Sequence, residues 1–202
     1  MRPRFCNWLV VVAVLSPYAV DAQTLPQLVR ANPNVPIAGG IHQDVRPVPL
    51  ERLAREATLV IVGRLRSPRS FLTPDETSIQ TDYEIQVEQV LAGDFPAARR
   101  TPGESQRPIL SMSGGEVTID ATKVAMTNRT MARPIPGERF LMFLQPFGTD
   151  SGKYKAVYGA IFELQNDRMR SLLKMANGSD PYKEITDALL PDVIHEVVRV
   201  KR

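Results

Sequence analysis

The clearest pattern in the chain is a ten-residue alternation. Ile79, Thr81, Tyr83, Ile85 and Val87 fall on one face of a strand, while Gln80, Asp82, Glu84, Gln86 and Glu88 fall on the other. A period of two with acids on one side is the mark of a strand with one wet face. Ahead of it, Leu59-Val60-Ile61-Val62-Gly63-Arg64-Leu65-Arg66 starts as a buried run and ends alternating. Antiparallel pairing of these two strands would set Arg64 and Arg66 against the acidic face. Such cross-strand charge pairs contribute only about 0.2–1 kcal/mol each and serve register more than stability.

A different pattern follows Pro136-Gly137. Phe140-Leu141-Met142-Phe143-Leu144 is apolar without a break, so both of its faces need cover. Phe140, Met142 and Leu144 suit the inside of a small barrel, and Leu141 and Phe143 suit contact with a helix. The C-terminal segment supplies such a helix: Ile185, Leu189, Val193 and Val197 recur every four residues, flanked by Leu190, Ile194 and Val198. Asp180-Pro181 gives it an N-cap and a first-turn proline, and Pro191 kinks or splits it. Pro49 to Ala57 predicts a short helix before the first strand, with Leu50, Leu53, Ala54 and Ala57 on one stripe.

Further strand pieces are expected at 109–112 and 116–119, joined by a bulge or sharp bend at Ser113-Gly114-Gly115, and at 153–158 and 161–165 around Gly159. Asn166-Asp167 then turns the chain into a hairpin ending near Leu173. Loops are expected after Arg66, over 94–108 and over 121–137. Residues 23–48, rich in proline and holding Gly39-Gly40, read as an extended lead-in. No internal repeat is visible. The pattern predicts a mainly β fold with flanking helices: a small closed barrel, a short helix before it and a proline-broken C-terminal helix packed on it.

The first 22 residues stand apart. Arg2 and Arg4 precede the apolar run Trp8 to Leu15, Pro17 breaks it, and Val20-Asp21-Ala22 offers small residues at the positions a signal peptidase reads. This predicts a signal peptide cleaved after Ala22, since a core this short falls far below the roughly 20 residues that span a bilayer. The expected organisation is therefore a leader at 1–22, the lead-in at 23–48 and one domain at 49–202, exported to the periplasm or outside a bacterial cell.

Without the leader, the 25 Lys and Arg lose Arg2 and Arg4, and the 22 acids lose Asp21, leaving a net charge of +2. That balance, with acids interleaved, argues against a nucleic-acid footprint. So does the 6% aromatic content. Stacking on single strands would need exposed rings amid positive charge; Tyr83, Phe140 and Phe143 read as buried, and Phe71, Phe95, Phe147, Tyr154 and Tyr158 are the surface candidates. The one cysteine, Cys6, precedes the apolar run, so it is no lipid acceptor, and the remaining chain has no thiol for a disulfide, a metal or a nucleophile. An exported chain of this kind fits a bacterial envelope better than a disulfide-rich extracellular setting. Asn128-Arg129-Thr130 and Asn177-Gly178-Ser179 match the glycosylation sequon, a short pattern that arises readily by chance.

Several segments together resemble exported bacterial proteins carrying an OB-type barrel similar to netrin-like and tissue-inhibitor-of-metalloproteinase modules. They are Ala57 to Leu65, Val87-Glu88-Gln89-Val90-Leu91-Ala92-Gly93, Gly114-Gly115-Glu116-Val117 and Gly137 to Leu144, within residues 50–175. The resemblance implies a five-stranded barrel. Inhibitors of that type hold a target zinc through an N-terminal cysteine, which this chain lacks after the leader, so neither that mechanism nor any site residue carries over.

Candidate chemistry is sparse. His42 and His195 are the only histidines and have no metal-ligand spacing, so no metal and no cofactor are expected. Thr149-Asp150-Ser151-Gly152-Lys153 superficially resembles the nucleophile stretch of trypsin-like proteases, with His42 upstream, but His42 has no apolar strand around it and a polar hairpin loop accounts for the stretch. Three residues between Gly148 and Gly152-Lys153, where four are required, exclude a phosphate-binding loop. Asp82, Glu84 and Glu88 could serve as paired acids, but alternation alone accounts for them. The expected function is a non-enzymatic binding or envelope-associated domain whose ligand and partner the sequence does not name, another envelope or secreted protein being the candidate. The alternative is a secreted serine hydrolase using Ser151 and His42.

Overall fold

The computed structural model describes residues 23–33, 35–41, 46–93, 107–149, 152–166, 168–175 and 178–202. The chain is mainly β. Helices α1 (Leu25–Ala31) and α2 (Leu50–Glu56) flank strand β1 (Ile37–Ile41), and β2 (Leu59–Leu72) with β3 (Ile79–Ala92) then form a long hairpin. After β4 (Ile109–Ser113), β5 (Gly115–Ile119) and β6 (Thr122–Asn128) come β7 (Arg139–Pro146), β8 (Lys153–Gln165) and β9 (Arg168–Ser171). Helices α3 (Lys183–Thr186) and α4 (Leu190–Lys201) complete the order. The large sheet runs β4-β3-β2-β7-β8-β9, and a parallel pairing of β4 with β8 closes five of its strands into a ring. A second sheet, β1-β6-β5, stands beside it.

Strand β7 has two buried faces, as its unbroken apolar run requires. Phe140, Met142 and Leu144 join Leu59, Ile61, Leu65, Tyr83, Ile85 and Ile161 in one core shared by the ring strands. Leu141 and Phe143 join a second core with Val60, Val62 and Phe162, covered by Leu53 and Ala54 of α2 and by Ile185, Val193 and Val197. Phe162 meets Phe143 edge-on at 6.0 Å and Tyr182 at 5.5 Å between ring centroids. Burial pushes the Tyr182 phenol up, and its hydroxyl donates to the Tyr158 carbonyl at 2.8 Å. Lys201 fastens α4 to α2 by donating to the Ala57 carbonyl at 2.5 Å, the cation sitting where a helix C-terminus favours one.

The structure corrects the expected elements in four places. Residues 23–48 do not form only an extended lead-in: Thr24 and Gln27 make a reciprocal capping box, Pro26 occupies the first turn, and Leu25 and Val29 bury against Ile79 and Val124. Beyond α1, Ile37–Ile41 pairs in parallel with 124–128, a partner too distant in sequence for local periodicity to reveal. The loop expected after Arg66 is instead a continuation of β2, in which Ser67 and Pro68 are absorbed by a bulge between Arg66 and Arg69, where proline's missing N–H does no harm. The segment expected as a loop at 121–137 contains β6. It is joined to β5 by Asp120-Ala121, both at positive φ (46° and 66°), a primed hairpin turn made without glycine.

The fourth correction lies at the C-terminus. Pro191 splits the helix, so Leu189 becomes an extended N-cap and is 57% exposed, outside the apolar stripe. Asp180 accepts from the Tyr182 N–H and the Thr186 hydroxyl at 2.8 Å each, but the helix begins at Lys183 with Tyr182 as its N-cap, so Asp180-Pro181 lies ahead of the helix instead of capping it. The pieces 153–158 and 161–165 form one strand with a bulge at Tyr158-Gly159, both at positive φ. The bend at Gly114 carries the chain from the large sheet to the small one.

Replacing Phe143 by Ala should lower stability by about 3–5 kcal/mol, read from urea unfolding midpoints. Deleting residues 181–202 should uncover Leu141 and Phe143, lower the thermal midpoint and cause aggregation. An unchanged midpoint with full solubility would show that α3 and α4 are no part of the core.

Candidate functional site

The acids on the wet face of β3 are engaged in pairs rather than poised together. Asp82 accepts from the Ser111 hydroxyl at 2.5 Å and pairs with Lys153 at 3.0 Å. Glu84 meets Arg107 at 3.3 Å. Glu88 is clasped by Arg64 at 2.8 Å and Arg139 at 2.7 Å, so the expected placing of Arg64 against this face holds. Arg66 lies opposite Glu84 in register. Burial works against the charge on Glu88, yet hydrogen bonds from Arg139 and Arg64 outweigh it and hold the carboxyl below the usual carboxylate range. These acids fix the register of four strands and leave no free acid and base facing each other.

His42 and Ser151 both lie outside the described residues, as does Phe95. His195 is exposed on α4. Among the described residues no cluster of three or more His, Cys, Asp or Glu side chains is placed to hold a metal. Tyr154, expected at the surface, is only 4% exposed because β8 turns it into the ring core beside Leu110 and Met142, and burial pushes its phenol up. Phe71, Phe147 and Tyr158 are half-buried: Lys153 lies over the Phe71 ring and Arg52 over the Tyr158 ring, at 5.4 and 5.5 Å. Tyr83, Phe140 and Phe143 are buried as expected.

Convergent chemistry gathers elsewhere, in a cleft of about 240 Å³ where the ring of strands meets the small sheet. Its lining includes Tyr83 of β3, Met112 of β4, Met126 of β6, and Met131 and Arg133 from the segment after β6. Two glycines let the sheets come this close. Gly114 and Gly115 hold φ of 99° and 149°, and a Cβ on Gly115 would stand 2.3 Å from the Thr81 hydroxyl and 2.6 Å from that of Ser70. Thr81 in turn donates to the Gly114 carbonyl at 2.6 Å. On the opposite wall, the Asn128 side-chain carbonyl accepts from the Thr130 and Met131 N–H groups, at 3.0 and 3.2 Å, and so shapes the turn that presents Met131. Ala132 donates to the Leu172 carbonyl at 2.7 Å, anchoring the residue before Arg133.

Burial pushes the Tyr83 phenol up, and the charge and hydrogen bond of Arg133 pull the other way without cancelling it. The phenol therefore stays protonated at neutral pH. A second apolar groove of about 590 Å³ runs between Pro47–Leu50 and Tyr182–Ala188, but it is a proline and aliphatic seam between helices without such convergence. Sequence reasoning found Tyr83 as a buried residue and Gly114-Gly115 as a bend. It missed Met126, Met131 and Arg133, whose segment reads as a loop, and Met112, which reads only as the end of a strand piece.

A folded-state pKa held below the ordinary value of about 4.3 contributes stability above that pH and loses it as pH falls through the folded pKa. Glu88→Gln should therefore cost roughly 1 kcal/mol at neutral pH. The gap to the parent should close below about pH 4, as checked by urea unfolding across a pH series. No protein-family model matches the chain, and no curated protein matches its sequence.

Proposed function

We propose that this chain is a non-enzymatic binding domain of the bacterial envelope or secreted fraction, exported by its N-terminal leader and built on an OB-like barrel. The five-strand ring with helices outside supports the barrel reading, and such barrels commonly bind ligands on one face and its adjoining loops. The carrying observation is the cleft, whose lining brings together the buried Tyr83, the exposed Arg133 and three half-buried methionines from separate segments. The paired acids of β3 argue in the same direction, because a carboxylate locked to a cation is a poor general base. Among the described residues no helix is long and apolar enough to cross a membrane. The netrin-like resemblance belongs to this proposal as architecture alone.

Intact-mass spectrometry of the exported fraction, before and after a fluorophosphonate probe, tests the proposal. The expected species begins at Gln23 and gains no adduct. A species retaining Met1 in the inner membrane would overturn export. An adduct abolished by Ser151→Ala would establish the hydrolase instead.

A further inference from the structure

Resting on the reading of the cleft as a binding site, we propose that it takes a small monocarboxylate with a short apolar body, the charged end on Arg133 and Tyr83 and the body among Met112, Met126 and Met131. The volume comes first. About 240 Å³ lies below the roughly 300–1,000 Å³ of sites for drug-sized ligands, so the occupant is small. Its charge follows from the lining. Among the described residues that line the cleft, Arg133 is the one cation, and the one acid, Glu116, is already paired with Lys123 at 2.9 Å. No carboxylate pairs with Arg133 among the described residues.

A single guanidinium matches a monoanion, and its planar fork suits a carboxylate. Tyr83 adds a second donor. It lines the same cleft as Arg133, whose charge acts on the phenol, and the protonated phenol has its own O–H to give. The rest of the lining sets the body of the ligand. Of the seven methionines in the chain, three line the cleft, half-buried and also packed against the neighbouring cores, while Met142 and Met169 are buried. Unbranched thioethers reshape easily around an aliphatic chain, which makes them suited to short apolar ligands of varied outline. Three methionines in one lining also suggest a soft metal ion, but the cationic Arg133 in the same lining disfavours a cation.

The test is a titration of the full exported chain, methionine methyl groups labelled with carbon-13, followed by NMR. Hexanoate is the probe; hexanol supplies the same body without charge, and acetate the charge without the body. Hexanoate should shift the Met112, Met126 and Met131 signals saturably, leave Met175 unmoved and bind more tightly than either control. Arg133→Gln should weaken hexanoate roughly ten- to a hundredfold, as loss of a hydrogen bond to a charged group implies, while leaving the spectrum of the unliganded protein intact and hexanol binding unchanged. Tyr83→Phe should weaken hexanoate by a smaller factor. Hexanol binding as tightly as hexanoate, or an Arg133→Gln variant that binds hexanoate undiminished, would overturn the carboxylate assignment and leave the cleft standing as a binding site. Saturable shifts from none of the three would overturn the assignment and the cleft reading together.

Discussion

The fold depends on one strand having to be buried twice. With Phe140, Met142 and Leu144 on one face and Leu141 and Phe143 on the other, β7 can leave neither face in water. Each exposed face would cost on the order of 25 cal/mol per Å² of apolar surface. One face is satisfied by closing strands around it, through the parallel pairing of β4 with β8. The other is satisfied by helices, and that demand explains why α2, α3 and α4, far apart in sequence, meet on the same side of the sheet. The Phe143–Phe162–Tyr182 contacts are the centre of that second layer.

Polar groups do a different job. The wet face of β3 is held by ion pairs to β2, β7, β8 and Arg107 just before β4, through Asp82, Glu84 and Glu88 and their cations. Exposed pairs of this kind contribute little energy each. Their value is in register, since a slip by one residue would turn Tyr83 and Ile85 out of the core. The same is true of the buried Glu163 on β8, which is held by Gln165 at 2.7 Å and by Arg170 of β9. Among the described residues much of the charge is thus structural, while Arg133 in the lining of the cleft is paired with no carboxylate there.

The cleft itself is a product of meeting surfaces. The ring supplies Tyr83 and Met112, and the small sheet and the segment after it supply Met126, Met131 and Arg133. The small sheet exists because α1 and β1 return to cover Val124 and to pair with β6. The N-terminal segment therefore supports the wall of the site without lining it, a structural role rather than a chemical one.

By itself, the sequence determined the elements with strong local signals. The alternation of β3, the two-faced run of β7, the stripe of α2 and the Arg64–Glu88 pairing were all legible, because each rests on a periodicity of two or 3.6 residues or on opposite charges in adjacent strands. Tertiary structure decided what depends on distant partners. The pairing of β1 with β6, the strand at 122–128, the bulge that carries β2 past Pro68 and the exposure of Leu189 all follow from which neighbour a segment meets. The site falls in that second group. Tyr83 reads as one more core residue until the fold sets it with Arg133 in the lining of one cleft, because a cleft between two sheets is set by their approach and leaves no period in either strand.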